Sequence, residues 1–283
     1  MSQPGKYQFD IRLILIGFFI ALLSTGIGIG GGSLLVPIFM SVFSFDFKKA
    51  ATTSLATIIP ISFIGSVSHF IFLPENPHLQ YYFIFIPACV LGSILGGRIV
   101  QKRQNRWLKL TFSLFLFVIS LKILKIFDFP SLIYSGLHGS LFSNESLFII
   151  TIGILVGILA VLLGIGCGLL IVPFFVVVIK LDIHEAITLS LTAMFFLSIS
   201  ATIVHKKLNS LDISLLKKLF FPALTGAIIG VIISSHLPSP ILKKIFAMFL
   251  LIIVGNNIVH GLDMHHKLIL SARNCMEGIR RTL

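Results

Sequence analysis

Two glycine runs, Gly28–Gly32 and Gly164–Gly168, contain the backbone N–H groups best suited to bind an anion. Because glycine costs about 1 kcal/mol inside a helix, each run predicts a break between two helical segments. A helix that restarts after such a break presents unpaired N–H groups and partial positive charge. The residues that we expect to contact a bound anion here are Gly30, Gly31, Gly32, Ser33, Gly166, Cys167 and Gly168. The alternative is that the glycines only allow helices to pack closely.

Hydroxyl side chains follow each glycine run and can donate hydrogen bonds to an oxyanion without carrying a fixed charge. Ser54 and Ser190 occupy the same place after the two runs, and Thr53 stands beside the first of them. Their hydroxyls can equally bond a carbonyl of their own helix. His69 and His205 end the same two stretches. Histidine titrates near neutral pH, so this pair predicts proton coupling or gating, with a place at a lipid headgroup boundary as the alternative.

The composition indicates that these residues belong to a membrane protein. Of 283 residues, 56% are hydrophobic and 11% are charged, whereas soluble domains carry roughly 25% charged residues. Leu13–Phe45 and Leu147–Ile179 contain no charged residue, and about 20 apolar residues suffice to cross the hydrocarbon core as a helix. The predicted fold class is an all-α, polytopic integral membrane protein.

The two glycine runs belong to two copies of one unit. A shift of 136 positions gives 16 identities over the 42 positions that start at Gly28, without a gap. The matches include Pro37 with Pro173 and Asp46 with Asp182, which chance pairing of two apolar stretches would not preserve. The chain therefore consists of two related halves.

Each half predicts five membrane elements, of which the second is too short to cross the bilayer alone. In the first half they are Ile11–Thr25, Ser33–Phe43, Ala50–Leu73, Tyr81–Val100 and Thr111–Phe127. In the second half they are Phe148–Leu163, Leu169–Ile179, Ala186–His205, Leu215–Ser234 and Ile241–Val259. Because a backbone break at membrane depth must be enclosed by protein or line a cavity, we interpret the first two elements of each half as a hairpin. Three further crossings per half make the halves inverted repeats with about eight transmembrane helices, counted as six full crossings and the longer limbs of two hairpins.

The basic residues orient the chain. The hairpin arrangement puts 17 of the 22 lysines and arginines on one side, which the positive-inside bias makes cytoplasmic. The predicted segments are a cytoplasmic N-terminus (1–10), repeat 1 (11–127), a non-cytoplasmic linker (128–145), repeat 2 (146–262) and a basic cytoplasmic tail (263–283). This placement and membrane lipid as a partner account for the net charge of +12, so nucleic acid is not an expected partner. The sequence leaves a homodimer open.

The motifs and residue types that the sequence lacks exclude several classes of function. All ten acidic residues fall outside the predicted spans, and hard cations such as calcium favour carboxylate oxygens, so a cation substrate is disfavoured. The chain has no nucleotide-binding P-loop, no Cys/His metal spacing and no Ser/His/Asp set. We therefore expect no catalytic residue, no metal and no cofactor, and a gradient in place of ATP. A membrane-embedded enzyme or assembly factor is the alternative from another class.

The order of these motifs resembles the sulfite exporter family (TauE/SafE), from about Ile11 to Val259. The segments that carry the resemblance are Gly26–Pro37, Gly164–Pro173, Ala50–Leu55 and Pro87–Gly97 with the basic loop after it. The resemblance implies transport of a small sulfur-containing anion, such as sulfite or a sulfonate, across the inner membrane of a bacterium. Cys167 departs from the first copy, which has glycine there, and the pair Lys48-Lys49 becomes His184-Glu185.

The function expected from the sequence is gradient-driven transport of a small anion, with protons as the candidate coupling partner. Export of sulfite or an organosulfonate is the leading expectation, and uptake of such an anion is its rival. Replacing Gly31 by Leu is then expected to abolish transport while membrane insertion stays intact, because the glycine break forms the site.

Overall fold

Helices make up the regular structure of the chain. The computed structural model describes residues 11–72, 78–100, 145–164, 166–206 and 211–255, with the single positions 117, 120, 121 and 123, and none of these forms a strand. The helices are α1 (Ile11–Ile27), α2 (Gly32–Val42), α3 (Phe47–Phe72), α4 (Leu79–Val100), α5 (Glu145–Leu163), α6 (Gly168–Pro173), α7 (Ile183–Lys206), α8 (Ile213–Ser235) and α9 (239–255). A π-helix over Phe174–Ile179 continues α6. The predicted element Thr111–Phe127 lies outside the described residues except at the four single positions.

Five of these helices are long and apolar enough to cross a membrane, namely α3, α4, α5, α7 and α8. Shorter apolar helices lie on both sides of the first glycine run and directly after the second. Large apolar side chains such as Phe83 and Phe221 are more than 70% exposed on the outside of the bundle, where lipid would cover them. The predicted class, an all-α polytopic membrane protein, is confirmed.

The two third helices cross in opposite directions at the centre of the bundle. Phe63 of α3 packs its ring against Phe195 of α7, with 5.1 Å between ring centroids. Three residues later on α3, the Ser66 hydroxyl lies 2.6 Å from that of Thr192, which is three residues earlier on α7. The order of contacts is therefore reversed along the second helix, and α3 and α7 are antiparallel.

The remaining long helices run parallel to the neighbours they contact. Polar links join the starts of α3 and α8, where Lys49 Nζ lies 2.8 Å from Asp212 Oδ2, and the starts of α4 and α7, where His78 Nδ1 lies 2.9 Å from Glu185 Oε1. Further along, the contacts keep the same order: Ile61 with Ala223 and Ala227, and Ser93 with Ser200. α1 lies along α8 and α4 lies along α5, with Gly17 beside Leu219, Gly26 beside Gly230, Gly92 beside Ile154 and Gly96 beside Ile158.

Corresponding helices of the two halves consequently point in opposite directions. α1, α3 and α8 run one way, whereas α4, α5 and α7 run the other way. By sequence, α5, α7 and α8 are the copies of α1, α3 and α4, so each copy is antiparallel to its original. The halves are inverted repeats, as the sequence predicts.

The first glycine run turns the chain back toward the end of the bundle where it began. Thr25, near the end of α1, accepts a hydrogen bond on its carbonyl oxygen from His69 Nε2 at 3.2 Å, near the end of α3. α3 begins at Phe47, which is roughly 33 Å earlier along its axis at 1.5 Å per residue. Because α1 and α3 are parallel, the chain between them must return over this length. The hairpin interpretation agrees with this path.

Both third helices begin three residues before their predicted starts, directly after Asp46 and Asp182, and the side chain of Asp182 caps α7. The backbone N–H of His184 donates to Asp182 Oδ2 at 3.0 Å, and the N–H of Ala186 donates to the Asp182 carbonyl oxygen at 2.9 Å. Burial would raise the pKa of Asp182, but the hydrogen bonds that its carboxylate accepts from the His184 N–H and the Ser239 side chain outweigh it and hold the pKa below its ordinary value. Glu185 thus lies in the first turn of α7, so the expectation that every carboxylate falls outside the spans is wrong there.

Glycines let the outer helices pack backbone to backbone, and one of them should be intolerant of a methyl group. A Cβ on Gly226 of α8 would overlap the Phe18 carbonyl oxygen of α1, which no side-chain movement can relieve. We expect Gly226→Ala to lower the free energy of unfolding by about 1–3 kcal/mol. Gly255→Ala is the control, because no atom of the described residues lies within 4 Å of a Cβ there. Thermal unfolding in detergent should separate the two variants, and equal losses would contradict this packing.

Candidate functional site

The two glycine breaks meet each other inside the bundle. Gly168 lies so close to Gly28 and Ile29 that a Cβ on it would overlap the Gly28 carbonyl oxygen and the backbone carbon of Ile29. The backbone is left-handed within each run, with φ of 84° at Gly30 and 73° at Gly166. Both runs therefore interrupt the helices as predicted, and they bring backbone atoms of opposite halves into direct contact.

Each break is faced by the third helix of the other half. On α7, Ile187 and Met194 contact the first break, at Gly28 and Gly30. On α3, Ala51 and Ile58 contact the second break, at Gly164 and Gly166. The shift of 136 positions that relates the halves pairs Ala51 with Ile187 and Ile58 with Met194. The two contacts are thus the same contact repeated, and the site is built from both halves at once.

Met194 joins the two breaks. A Cβ on Gly30 would overlap its sulfur atom, and a Cβ on Gly166 would lie 3.6 Å from the same atom. The side chain is fully buried. A flexible, polarisable thioether can adapt to a changing cavity, which suits the position between two breaks. Met194 was not among the residues predicted from the sequence, because an isolated methionine in an apolar helix has no distinguishing pattern.

Equivalent serines on the third helices have different surroundings. Ser190 lies between Ile187 and Met194 on α7, and its hydroxyl donates to the Gly28 carbonyl oxygen at 2.9 Å. Ser54 lies on the same face of α3 as Ala51 and Ile58, three and four residues away. Ser54 is completely buried, and its hydroxyl has no partner among the described residues. One serine therefore holds the first break, and the other leaves a free donor near the second.

Two more hydroxyls without a partner lie at the first break. Ser33 is in the first turn of α2, and its buried hydroxyl has no partner in the described part of the chain. Ser24, near the end of α1, is in the same condition, and its Oγ would lie 3.4 Å from a Cβ on Gly31. Ser24 was not among the residues predicted from the sequence, because the second copy has alanine at the corresponding position, Ala160. Burial of hydroxyls without a partner is unfavourable, so a ligand that accepts hydrogen bonds would satisfy them.

The helices that restart after the breaks have no side-chain cap. Gly31 precedes α2 and Cys167 precedes α6, and both have left-handed backbone, with φ of 66° and 59°. Gly31 has no side chain, and the thiol of Cys167 does not bond the N-terminus of α6. Gly32 and Gly168 are then the first helical residues. Some first-turn N–H groups are already used, because those of Gly32 and Leu34 donate to the Gly30 and Gly31 carbonyl oxygens and that of Leu170 donates to the Cys167 carbonyl oxygen. The other first-turn N–H groups, at Ser33, Gly168 and Leu169, are the ones that an anion could bind.

Thr53 is not brought to the breaks. Its hydroxyl oxygen lies 3.4 Å from the backbone nitrogen of Asp212, which donates to it at the start of α8. It therefore sits at the end of the bundle where Lys49 pairs with Asp212. The neighbouring residue, Ser54, points in a different direction from α3, because consecutive helical residues are about 100° apart.

His69 is fully buried in the last turns of α3. Its Nε2–H donates to the Thr25 carbonyl oxygen at 3.2 Å, whereas Nδ1 has no partner among the described residues. Its burial removes the imidazole from direct contact with lipid headgroups. The imidazole instead touches the arm of the first hairpin just before its glycine run. His205 lies in the last turn of α7, and its side chain is outside the described part of the chain.

Known proteins similar to this chain come from a bacterium and an archaeon. The family described as sulfite exporter TauE/SafE matches residues 2–123 and 149–274. The "probable membrane transporter protein YunE" of Bacillus subtilis is 33% identical over 124 residues, which are 44% of this chain and 45% of that protein. A "probable membrane transporter protein" of Methanocaldococcus jannaschii is 25% identical over 202 residues, which are 70% of this chain and 73% of that protein. The match thus spans less than half of the Bacillus protein, and no solved structure matches the chain.

Proposed function

We infer the function of this chain from its family: it belongs to the sulfite exporter TauE/SafE family and is a multi-pass membrane transporter. Its substrate would be a small anion, with sulfite or an organosulfonate as the leading candidate. Transport would be secondary, driven by an ion gradient, and its direction would be export across the bacterial inner membrane. Uptake of the same class of anion is the rival direction.

One observation carries this proposal, namely the contact between the two glycine breaks. Inverted repeats with broken helices bind their substrates near the midplane, between the halves. Here Gly168 touches Gly28 and Ile29, and the third helix of each half faces the break of the other. A rocking movement of one half against the other would change which end of the bundle leads to this contact.

An anion fits the donors at the breaks better than a cation does. The restarted helices α2 and α6 offer backbone N–H groups, and the hydroxyls of Ser24, Ser33 and Ser54 have no partner in the described part of the chain. No group of three or more His, Cys, Asp or Glu side chains among the described residues could hold a metal ion. Sulfite and sulfonates carry three oxygen acceptors, which these donors could bond together.

Solute flux in sealed vesicles that contain the purified protein tests the proposal. Sulfite, sulfate, thiosulfate and taurine should be offered in turn under an imposed pH gradient, with protein-free vesicles as the control. We expect saturable sulfite or sulfonate flux that collapses when a protonophore removes the gradient. Saturable flux that does not depend on any imposed gradient would show that transport is not coupled to an ion gradient. If folded protein carries none of these anions, the proposed function is overturned.

The orientation also follows from the proposal and can be measured separately. The face that carries Lys49 would be cytoplasmic, together with both termini, because the positive-inside bias favours it. Protease digestion of the basic tail in right-side-out and inverted vesicles would decide this. A homodimer stays a prediction of the sequence, with crosslinking of the protein in the membrane as its test.

A further inference from the structure

Two polar links tie the halves together at opposite ends of the bundle. The Lys49 link joins Lys49 Nζ to Asp212 Oδ2 at 2.8 Å, and the ammonium also lies 4.0 Å above the Phe45 ring. The Glu185 link joins His78 to Glu185, whose carboxylate accepts from the His78 backbone N–H at 2.7 Å and lies 2.9 and 3.0 Å from Nδ1. The carboxylates are largely buried, with Asp212 at 15% and Glu185 at 12% side-chain exposure.

The two links occupy equivalent places with the acidic and the basic residue exchanged. The shift of 136 positions pairs Lys49 with Glu185, each in the first turn of a third helix. Their partners, Asp212 and His78, each stand directly before the fourth helix of the other half. Because α3 and α7 are antiparallel, the links lie up to roughly 35 Å apart along the bundle, about the thickness of a membrane.

The Lys49 link is favourable as it stands. Burial alone would raise the pKa of Asp212, but the hydrogen bond from Lys49 and those from the start of α8 outweigh it and hold the pKa below its ordinary value. Asp212 Oδ1 also caps α8 by accepting from the Leu215 N–H at 3.2 Å. Both links are formed together in this structure, while Cys167 at the glycine breaks is 1% exposed. The breaks are thus closed from both ends.

We propose that the two links are the gates of the transport cycle, so that breaking the Lys49 link opens the breaks to its end and breaking the Glu185 link opens them to the opposite end. This inference rests on the proposed transport function. Each link holds a third helix of one half to a fourth helix of the other, and these helices must separate at one end when the halves rock. The third helices contribute Lys49 to one link and Glu185 to the other. Because the two links share no residue, each gate can open while the other stays closed.

The rate at which native cysteines are modified shows whether each gate is open, and it needs no flux measurement. Cys167 lies at the second break, Cys89 is fully buried, and Cys275 belongs to the basic tail. A small, membrane-impermeant, anionic thiol reagent should be applied to right-side-out and to inverted vesicles, and the modified cysteine identified by mass spectrometry. Cys275 would identify the side of the tail, and Cys89 would reveal unfolded protein.

We expect Lys49→Glu, which repels Asp212, to speed Cys167 modification at least tenfold from the Lys49 end only. Glu185→Lys should speed it at least tenfold from the opposite end only. Adding Asp212→Lys to Lys49→Glu should bring the rate back toward that of the unchanged protein, because the charge pair forms again with its charges exchanged, although α8 loses its cap. Glu185→Lys combined with His78→Glu should do the same by exchanging the charges.

Opposite sidedness is a result that a purely structural role cannot produce. If both variants raise the rate from the same end, or from neither end in folded protein, the gates are overturned. Should Lys49→Glu fail to fold, Asp212→Asn alone breaks the charge pair and must give the same one-sided increase. If sidedness switches but no sulfur-containing anion is carried, the gates stand and the proposed substrate falls.

Discussion

Gly168→Ala is expected to reduce transport on the order of a hundredfold while the protein still folds and inserts. The added methyl group would overlap the Gly28 carbonyl oxygen and the Ile29 backbone, so the two breaks must move apart. Misplacement of a binding group by about 1 Å can cost on the order of a hundredfold in rate. Gly168 is the first residue of α6 and has helical backbone, so alanine adds no strain of its own. Initial rates of anion flux in vesicles measure the loss.

The neighbouring residue supplies a matched control. Cys167 is left-handed with φ of 59°, a conformation that favours glycine, and the first copy has Gly31 there. Cys167→Gly should therefore fold well and keep flux within about threefold of the unchanged protein. Gly31→Leu should also abolish transport, but it combines steric overlap with strain at a φ of 66° and tests the contact less cleanly. Normal flux in Gly168→Ala would show that transport does not need the breaks in contact.

The duplication is the part of the fold that sequence reasoning could establish firmly. Matches such as Pro37 with Pro173 relate the halves residue by residue, and the counting of basic residues then selects an inverted arrangement. Both inferences use local or additive properties of the chain. The structure agrees with them, since α3 and α7 are antiparallel at Ser66 and Thr192.

The contact between the halves could not be foreseen in the same way. Helical spacing places Ala51, Ser54 and Ile58 on one face, but it does not say that the face meets the second break and not the first. That choice depends on how two inverted copies pack against each other, which is a non-local property. The predicted role of Thr53 illustrates the limit, because its hydroxyl meets Asp212 on a different side of α3.

The starts of the third helices differ from their predicted positions for a similar reason. Apolar periodicity predicts where a hydrophobic face begins, but a helix begins where its N–H groups find a cap. Asp182 provides that cap to α7, and Asp46 accepts from the Ala50 N–H at 2.9 Å on its carbonyl oxygen. The three extra residues bring Lys49 and Glu185 into helical first turns, where each reaches a partner from the other half.

Ser54→Ala should raise the KM for the anion about tenfold to a hundredfold without lowering stability. A hydrogen bond to a charged group contributes about 1.5–3 kcal/mol, and each 1.4 kcal/mol is about tenfold in affinity. The Ser54 hydroxyl is completely buried and has no partner among the described residues, so its removal breaks no bond within the protein. Concentration dependence of flux measures KM, and thermal unfolding in detergent measures stability.

Ser190→Ala is the matched comparison, because it changes the equivalent residue in the other half. There the hydroxyl donates to the Gly28 carbonyl oxygen at 2.9 Å, and its loss should lower the free energy of unfolding by about 1 kcal/mol. The first break would then be held less firmly, and the maximal rate should fall more than KM rises. If the two alanine variants behave alike in both measurements, the free hydroxyl of Ser54 is not a ligand and the anion binds through backbone N–H groups alone. If only Ser54→Ala changes KM at unchanged stability, a bound anion is the partner that its hydroxyl lacks in this structure.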